Sequence, residues 1–350
     1  MSVDRLRYLF FVTKPYSFPI LEPIDQYIKT NNLGETAWYT ASTAKNIYPN
    51  GLTLRNIDEV MIYNPNAVIA PGNIVPQNWP GIKVQVFHGM DDEVKGYYHI
   101  NGQFDLYCTH GQESSERFQK LAQKHKNFIV IETGWPKLDS IYTNINSKVY
   151  IDEKLIKQIE FKAYKPILLY APTFPPKYTS TKELFPQIKR LKDDYQWIVK
   201  FHTLMDKNII KQYQSLVGDS LKVIDDNNIL PYFAISNVLI TDTSSVAYEF
   251  LPLDRPIITY KAIARLDKGI NIVDAQDLHG AIVRSLNNST EFSTNRQFYL
   301  NEIHPYTDGK SSQRVIKAIQ DSISQDLLSK LKLKPNNWFR NHKIKKMLNS

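Results

Sequence analysis

The stretch VLITDTSSVAYEFLPLDRPIITY, residues 238–260, reads as a buried strand (238–241), a polar turn (Asp242 to Ser245), a helix running through Phe250 and a second buried strand at 256–259. Two short, continuously apolar strands joined by a helix make a βαβ unit, which belongs to a parallel sheet covered by helices on both faces.

Outward from this unit the same alternation recurs. Apolar segments at residues 5–13, 67–70, 83–87, 105–109 and 128–132 form one set, and 166–171, 197–201, 221–224, 238–241 and 256–259 form another. Each is followed by a turn and a stretch of helical length. Strands this short and apolar imply burial on both faces. A chain of 350 residues exceeds what one core usually organises. Two sets therefore imply two Rossmann-like domains of an α/β protein. The lysine-rich stretch 148–165 has no strand pattern and sets the expected division at 1–154 and 155–350.

Composition fits an ordinary globular chain, with 42% apolar and 22% charged residues. The single cysteine, Cys108, excludes an intramolecular disulfide, suits a reducing compartment and reads as a small buried hydrophobe. The apolar run Tyr8 to Val12 is too short for a signal peptide core or a membrane span, so a cytoplasmic location is expected. A net charge of +8 means attraction to something anionic, whether nucleic acid, acidic lipid or a phosphate-rich substrate. Much of it lies in residues 330–350, which hold seven Lys or Arg, no acid, and Leu331, Leu333, Trp338, Phe339, Ile344, Met347 and Leu348. A basic amphipathic helix with aromatic anchors is the pattern of a peripheral contact with an anionic membrane. A terminal helix packed back across the lobes is compatible with the same residues.

In an open parallel sheet, ligands meet the loops at the carboxyl ends of the strands. The strand 83–87 runs into His88 and Gly89, an imidazole suited to act as a general base beside a glycine that permits close approach. In the second set, 166–171 ends in Pro172 and Thr173, which presents a hydroxyl, and 197–201 carries Lys200 and His202 at its end, a pair suited to phosphate. The turn Asp242, Thr243, Ser244 and Ser245 opens a helix, where hydroxyls, free N–H groups and the dipole form an anion site; plain N-capping is the alternative. YTDGKSSQRV, residues 306–315, repeats this logic, with Asp308 and Gly309 at the turn, Ser311 and Ser312 at a helix start, and Lys310 and Arg314 to bind phosphate oxygens. Together these loops suggest a nucleotide diphosphate pocket in the second domain.

The ordered series FHG (87–89), GWPKLD (134–139), LLYAPTF (168–174), KFH (200–202), LITDTSSVAYEFLPLDRPIITY (239–260) and DGKSSQR (308–314) resembles the CDP-glycerol glycerophosphotransferase family of teichoic acid and capsule synthesis. The resemblance runs from about Val84 to Val315, and the 239–260 block is its most specific part. It implies a GT-B fold, two Rossmann-like domains facing a central cleft. It also implies transfer of an alcohol phosphate, such as glycerol phosphate, from a CDP-linked donor to a glycan or teichoic-acid-like hydroxyl, with release of CMP. In the family pattern the first-lobe His, here His88, activates the acceptor, with Gly89, Asp91 and Asp92 on the acceptor side. His202 acts at the donor pyrophosphate. Thr173, Lys200, Asp242, Thr243, Ser244, Ser245, Glu249, Asp308, Gly309, Ser312 and Arg314 complete the donor site. The family usually follows its His-Gly pair with Thr, often Pro and a Lys, where this chain has Met90, Asp91, Asp92 and Glu93. Three consecutive acids could hold Mg²⁺ through water, but GT-B enzymes typically stabilise the leaving group with side chains and helix dipoles. No metal and no cofactor are therefore expected.

Two other classes share some of these features. A GT-B glycosyltransferase using a nucleotide sugar for cell-surface polysaccharide would have the same fold and phosphate-binding helix. A non-catalytic membrane or nucleic-acid binder is supported by charge alone, and the excess sits largely in the tail rather than along a sheet face with interleaved aromatics, so nucleic acid is not an expected partner.

Overall fold

The computed structural model describes residues 5–45, 47, 49–90, 98–146, 159, 161 and 165–349. Their contacts divide the chain into a first unit, residues 1–140 with 302–350, and a second unit, residues 141–301.

The first unit is built on strands β1 (Arg7–Val12), β2 (Glu35–Thr40), β3 (Leu52–Leu54), β4 (Ala67–Ala70), β5 (Ile82–Gln85), β6 (Leu106–Thr109) and β7 (Ile129–Glu132). They lie in the order β3-β2-β1-β4-β5-β6-β7, every pairing parallel. The second unit has β8 (Ile167–Tyr170), β9 (Gln196–Lys200), β10 (Leu221–Ile224), β11 (Val238–Thr241), β12 (Ile257–Tyr260) and β13 (Ile270–Ile272). Their order is β10-β9-β8-β11-β12-β13, again all parallel. Both sheets thus start 3-2-1-4-5-6, the doubly wound order, with topological switch points between β1 and β4 and between β8 and β11.

The central strands β4, β6, β11 and β12 are buried at every residue, which is why their sequences are unbroken apolar runs. One face of the second sheet gathers Leu168, Tyr170, Trp197, Val199 and Ile240 with the helix residues Leu184 and Ile188. In the first unit, Leu9, Phe11, Tyr39, Trp79, Tyr107 and Phe118 form the corresponding core. Burial of each such side chain contributes roughly 1.5–3 kcal/mol. Cys108 is buried in β6, and burial raises its thiol pKa, which keeps it neutral.

Three edge-side strands, β2, β3 and β13, were not expected. Glu35–Thr40 is polar at both ends, and β3 and β13 are three residues each, too short to stand out from loops. The expected domain division near 155 falls among residues outside the described set. Residues 302–350, expected in the second domain, belong to the first unit. The physical reason is local to that unit: the helix Ser311–Ser324 packs on the helix Phe18–Thr30, and Lys332 N–H donates to the Lys126 carbonyl at 2.7 Å.

The helix Trp338–Asn349 buries Ile344 and sets Met347 and Leu348 against the first-unit core, while Trp338 and Phe339 point to solvent. Its apolar residues therefore face in two directions. Of the two compatible readings of the tail, the packed terminal helix is seen against the first-unit core, and it keeps an exposed aromatic tip. No helix among the described residues is long and apolar enough to cross a membrane.

Candidate active site

In the first unit, β5 ends at Gln85, earlier than expected, and Val86 and Phe87 turn the chain toward His88. Phe87 has φ of 58°, a left-handed conformation that a bulky residue adopts only when its surroundings impose it. Trp135 from the GWPKLD motif supplies the restraint: its fully buried indole donates from Nε1 to the Phe87 carbonyl at 3.3 Å. The backbone N–H of Trp135 in turn donates to His304 Nε2 at 2.9 Å. Tyr16, from the loop after β1, lies with its ring centroid 5.9 Å from that of half-buried His88.

Sequence reasoning passed over His110 and His304. Burial pushes the His110 imidazole down to about 3, with His304 and His88 adding to the effect, and holds His304 down at about 4. Both stay neutral near pH 7, which lets His304 Nε2 accept a hydrogen bond. The histidines themselves were the available signal, since His110 follows β6 as His88 follows β5. His304 comes 169 residues after its partner Trp135, and nothing local marks it.

Asp308, Gly309, Ser312 and Arg314 are not in the second unit. The N–H groups of Ser311 and Ser312 donate to the two carboxylate oxygens of Asp139 at 2.8 and 2.7 Å. The first turn of the helix Ser311–Ser324 is thus capped by the last residue of GWPKLD. Burial raises the Asp139 pKa, against the opposing hydrogen bonds from Ser312 and Ser311. Gly134 makes the approach possible: its φ is 77°, and a Cβ there would lie 2.5 Å from Ser311 Oγ. Arg314 pairs with Asp308 and lies 4.0 Å from the centroid of the Tyr306 ring. The expected second-domain anion site at this helix start is therefore corrected to a first-unit assembly whose leading N–H groups already serve a carboxylate. Asp91 and Asp92, with Glu93, lie outside the described residues, and Gly89 is buried beside His88.

The second unit does bring its candidates together. Thr173, Lys200, His202 and the turn Asp242 to Ser245 sit at the carboxyl ends of β8, β9 and β11, which are neighbours in the sheet and include its switch point. Asp242, almost fully buried, accepts from the N–H of Thr173 at 2.9 Å and from both the N–H and Oγ of Ser180 at 3.0 Å. Burial raises its pKa to about 6 despite these bonds. Its carboxylate ties the β11 loop to the β8 loop, a positioning task rather than the ligand contact expected of it. The imidazole of His202 stacks on Phe174 with centroids 4.4 Å apart, and its Nδ1 accepts from Leu204 N–H at 3.1 Å. In a neutral imidazole that leaves the proton on Nε2.

Thr243, Ser244 and Ser245 are half-buried, and Ser244 Oγ accepts from Val246 N–H at 3.4 Å. The helix they open, Val246–Phe250, has only five residues, so the dipole expected there is weak. Glu249 is buried on that short helix. Lys200, the last residue of β9, is half-buried.

Two doubly wound parallel-sheet units, with candidate polar loops at the carboxyl ends of their strands, place the chain in the GT-B class. The wall teichoic acid polymerase TagF superposes with a TM-score of 0.69 at 18% identity, covering 93% of this chain and 90% of that one. An S. aureus MnaA–UDP complex has a TM-score of 0.63 at 14% identity, covering 95% and 100%.

Within that class, the CDP-glycerol:poly(glycerophosphate) glycerophosphotransferase family matches residues 8–265, and the chain belongs to it. The teichoic acid glycerol-phosphate primase of Bacillus subtilis (strain 168) is 27% identical over 246 residues, 66% of this chain and 61% of that protein. The teichoic acid poly(glycerol phosphate) polymerase of Bacillus spizizenii (strain ATCC 23059 / NRRL B-14472 / W23) is 27% identical over 205 residues, 53% of this chain and 50% of that protein. The match thus spans half to three-fifths of the length of these relatives.

Proposed function

We propose that this chain transfers an alcohol phosphate, glycerol phosphate or a similar polyol phosphate, from a CDP-linked donor to a hydroxyl of a glycan or teichoic-acid-like acceptor. The acceptor oxygen forms a new bond to the phosphorus that bears the polyol. The bond from that phosphorus to the bridging oxygen breaks, and CMP leaves with that oxygen. His88 takes the proton of the attacking hydroxyl. His202 donates through Nε2 to the pyrophosphate as charge builds on the leaving group.

The observation that carries this reading is the state of His202. An imidazole whose Nδ1 is already an acceptor, after β9 on the same sheet edge as the Thr243 to Ser245 turn after β11, is arranged to donate to phosphate oxygens. Thr173, whose N–H donates to Asp242, belongs with Lys200 and Glu249 to the same donor-side group. Gly89, Asp91 and Asp92 act on the acceptor side.

The reading extends to residence on the cytoplasmic face of the cell membrane. It is supported by the exposed Leu333, Trp338 and Phe339 within a segment that carries seven basic residues and no acid. Teichoic acid or capsule polymer of the cell envelope is the acceptor class. Incubation with a panel of CDP-alcohols and UDP-sugars tests the donor: release of CMP is expected, and release of UDP alone would reassign the chain to sugar transfer.

A further inference from the structure

We propose that a cavity at the amino-terminal end of the first-unit sheet binds a phosphate ester of a small polyol. The cavity, about 280 Å³, is lined by His99, Asn101, His125, Asn127, Asn337 and Arg340, among others. Asn101 lies ahead of β6 and Asn127 ahead of β7, whereas His88 follows β5. In a parallel sheet all the amino ends share one edge, so this cavity and His88 belong to opposite ends of the sheet.

The wall of the cavity is built rather than incidental. Asn337 Nδ2 donates to the Asn101 carbonyl at 2.7 Å, and Lys334 pairs with Asp105 at 3.0 Å. Gly102, with φ of 73°, lets the tail close: a Cβ there would lie 2.6 Å from Pro335 Cγ.

The lining has a defined chemistry. Arg340 and two imidazoles face the space, and no Asp or Glu among the described residues lines it. Asn127 is only 6% exposed, and its Oδ1 has no hydrogen-bond partner among the described residues. A buried acceptor without a donor is costly unless something supplies one. A guanidinium for an anion and an amide oxygen for a hydroxyl together fit a phosphate ester that also carries free hydroxyls.

Two sources share that chemistry, a lipid headgroup and a soluble polyol phosphate. Trp338 and Phe339, 64% and 78% exposed, lie in sequence between the lining residues Asn337 and Arg340. Aromatics beside an anion site suit a headgroup bound at the membrane surface. The lipid source rests on the membrane reading above; the cavity itself does not.

The test uses the full chain in two arms. In the first, glycerol phosphate is titrated while the imidazole resonances of His99 and His125 are followed by NMR. Both are expected to shift, and Arg340→Gln should weaken the affinity by about tenfold. In the second, binding to phosphatidylglycerol vesicles is compared with phosphatidylcholine vesicles, using Lys343→Gln as a control with the same change of charge. A larger loss for Arg340→Gln than for Lys343→Gln identifies the lipid headgroup as the source. Equal losses, with glycerol phosphate still bound, identify the soluble ester. The double variant Trp338→Ser, Phe339→Ser should weaken vesicle binding and leave glycerol phosphate affinity unchanged, so failure of the membrane reading is seen separately. If glycerol phosphate shifts neither imidazole and Arg340→Gln matches Lys343→Gln on vesicles, the proposal is overturned.

Discussion

The indole N–H of Trp135 holds the carbonyl of Phe87 at 3.3 Å, across 48 positions of sequence, and Phe87 keeps a left-handed backbone one residue before His88. A motif that looks like a loop after β7 therefore sets the direction of an imidazole after β5. We predict that Trp135→Phe, which keeps an aromatic ring and removes the donor, lowers turnover by about fivefold while CDP-glycerol affinity changes little, because a hydrogen bond of roughly 1 kcal/mol restrains the turn. Equal effects on turnover and on donor affinity would remove Trp135 from this positioning role.

The two histidines should separate on mutation. His88→Ala is expected to reduce transfer by about 10² to 10⁴ with the donor still bound, since it deletes a proton acceptor. His202→Ala should weaken donor binding as well as turnover. Turnover and CDP-glycerol affinity measured for both variants provide the comparison. Near-normal turnover in His88→Ala would move the base to the acids that follow, Asp91 to Glu93.

Residues 141–301, rather than 155–350, are the piece expected to bind CDP-linked ligands alone. The longer fragment carries 302–350 without the first unit it packs on. Calorimetry of both pieces against CDP-glycerol, with a solubility measurement, checks this. A well-folded, soluble 155–350 fragment would contradict the grouping of the tail with the first unit.

Deleting residues 330–350 is expected to destabilise the first unit, because the deletion strips buried Ile344 and its neighbours from the core. Loss of a single such side chain costs about 2–5 kcal/mol. The exposed substitutions Trp338→Ser and Phe339→Ser should leave the melting temperature within about 1 °C. Thermal unfolding of the three proteins decides the matter.

Opposite pH responses are expected from buried groups in the two units. His304, depressed to about 4 from its ordinary 6.5, gives the first unit stability that is fully present above about pH 6.5 and is lost as pH falls toward 4, where the unfolded chain takes the proton first. Asp242 is raised to about 6 from 3.8, so in the second unit its contribution is largest at the acid end and declines as pH rises through about 4 to 6. Denaturation of the full chain at pH 4.5 and pH 7 should show His304→Gln losing part of its acid sensitivity and Asp242→Asn losing the opposing trend. Unchanged pH profiles for both variants would show that these groups do not carry the linkage.

Much of the architecture is legible in the order of the residues. The segments 67–70 and 238–241 are strands at those same bounds, because burial on both sheet faces favours an apolar run and leaves a local imprint. Strands β2, β3 and β13 escape such a reading because polar ends and three-residue edges leave little imprint. Among candidate site residues, Thr173, Lys200, His202 and the 242–245 turn are readable, since a parallel sheet puts all its carboxyl ends on one edge.

What the sequence determined by itself was the class of the chain: two doubly wound sheets, their strand ends, and a family-specific turn at Asp242 to Ser245. Only the tertiary structure decided which of these polar groups are already engaged by the fold. Asp242 looks like a phosphate-side residue until Thr173 and Ser180 are found donating to it, and the Ser311–Ser312 turn looks like an anion site until Asp139, 172 residues earlier, is found beneath it. The reason is physical. Burial repeats with the period of a strand or helix and can be read locally, whereas the partner of a polar group is set by whichever distant segment packs against it.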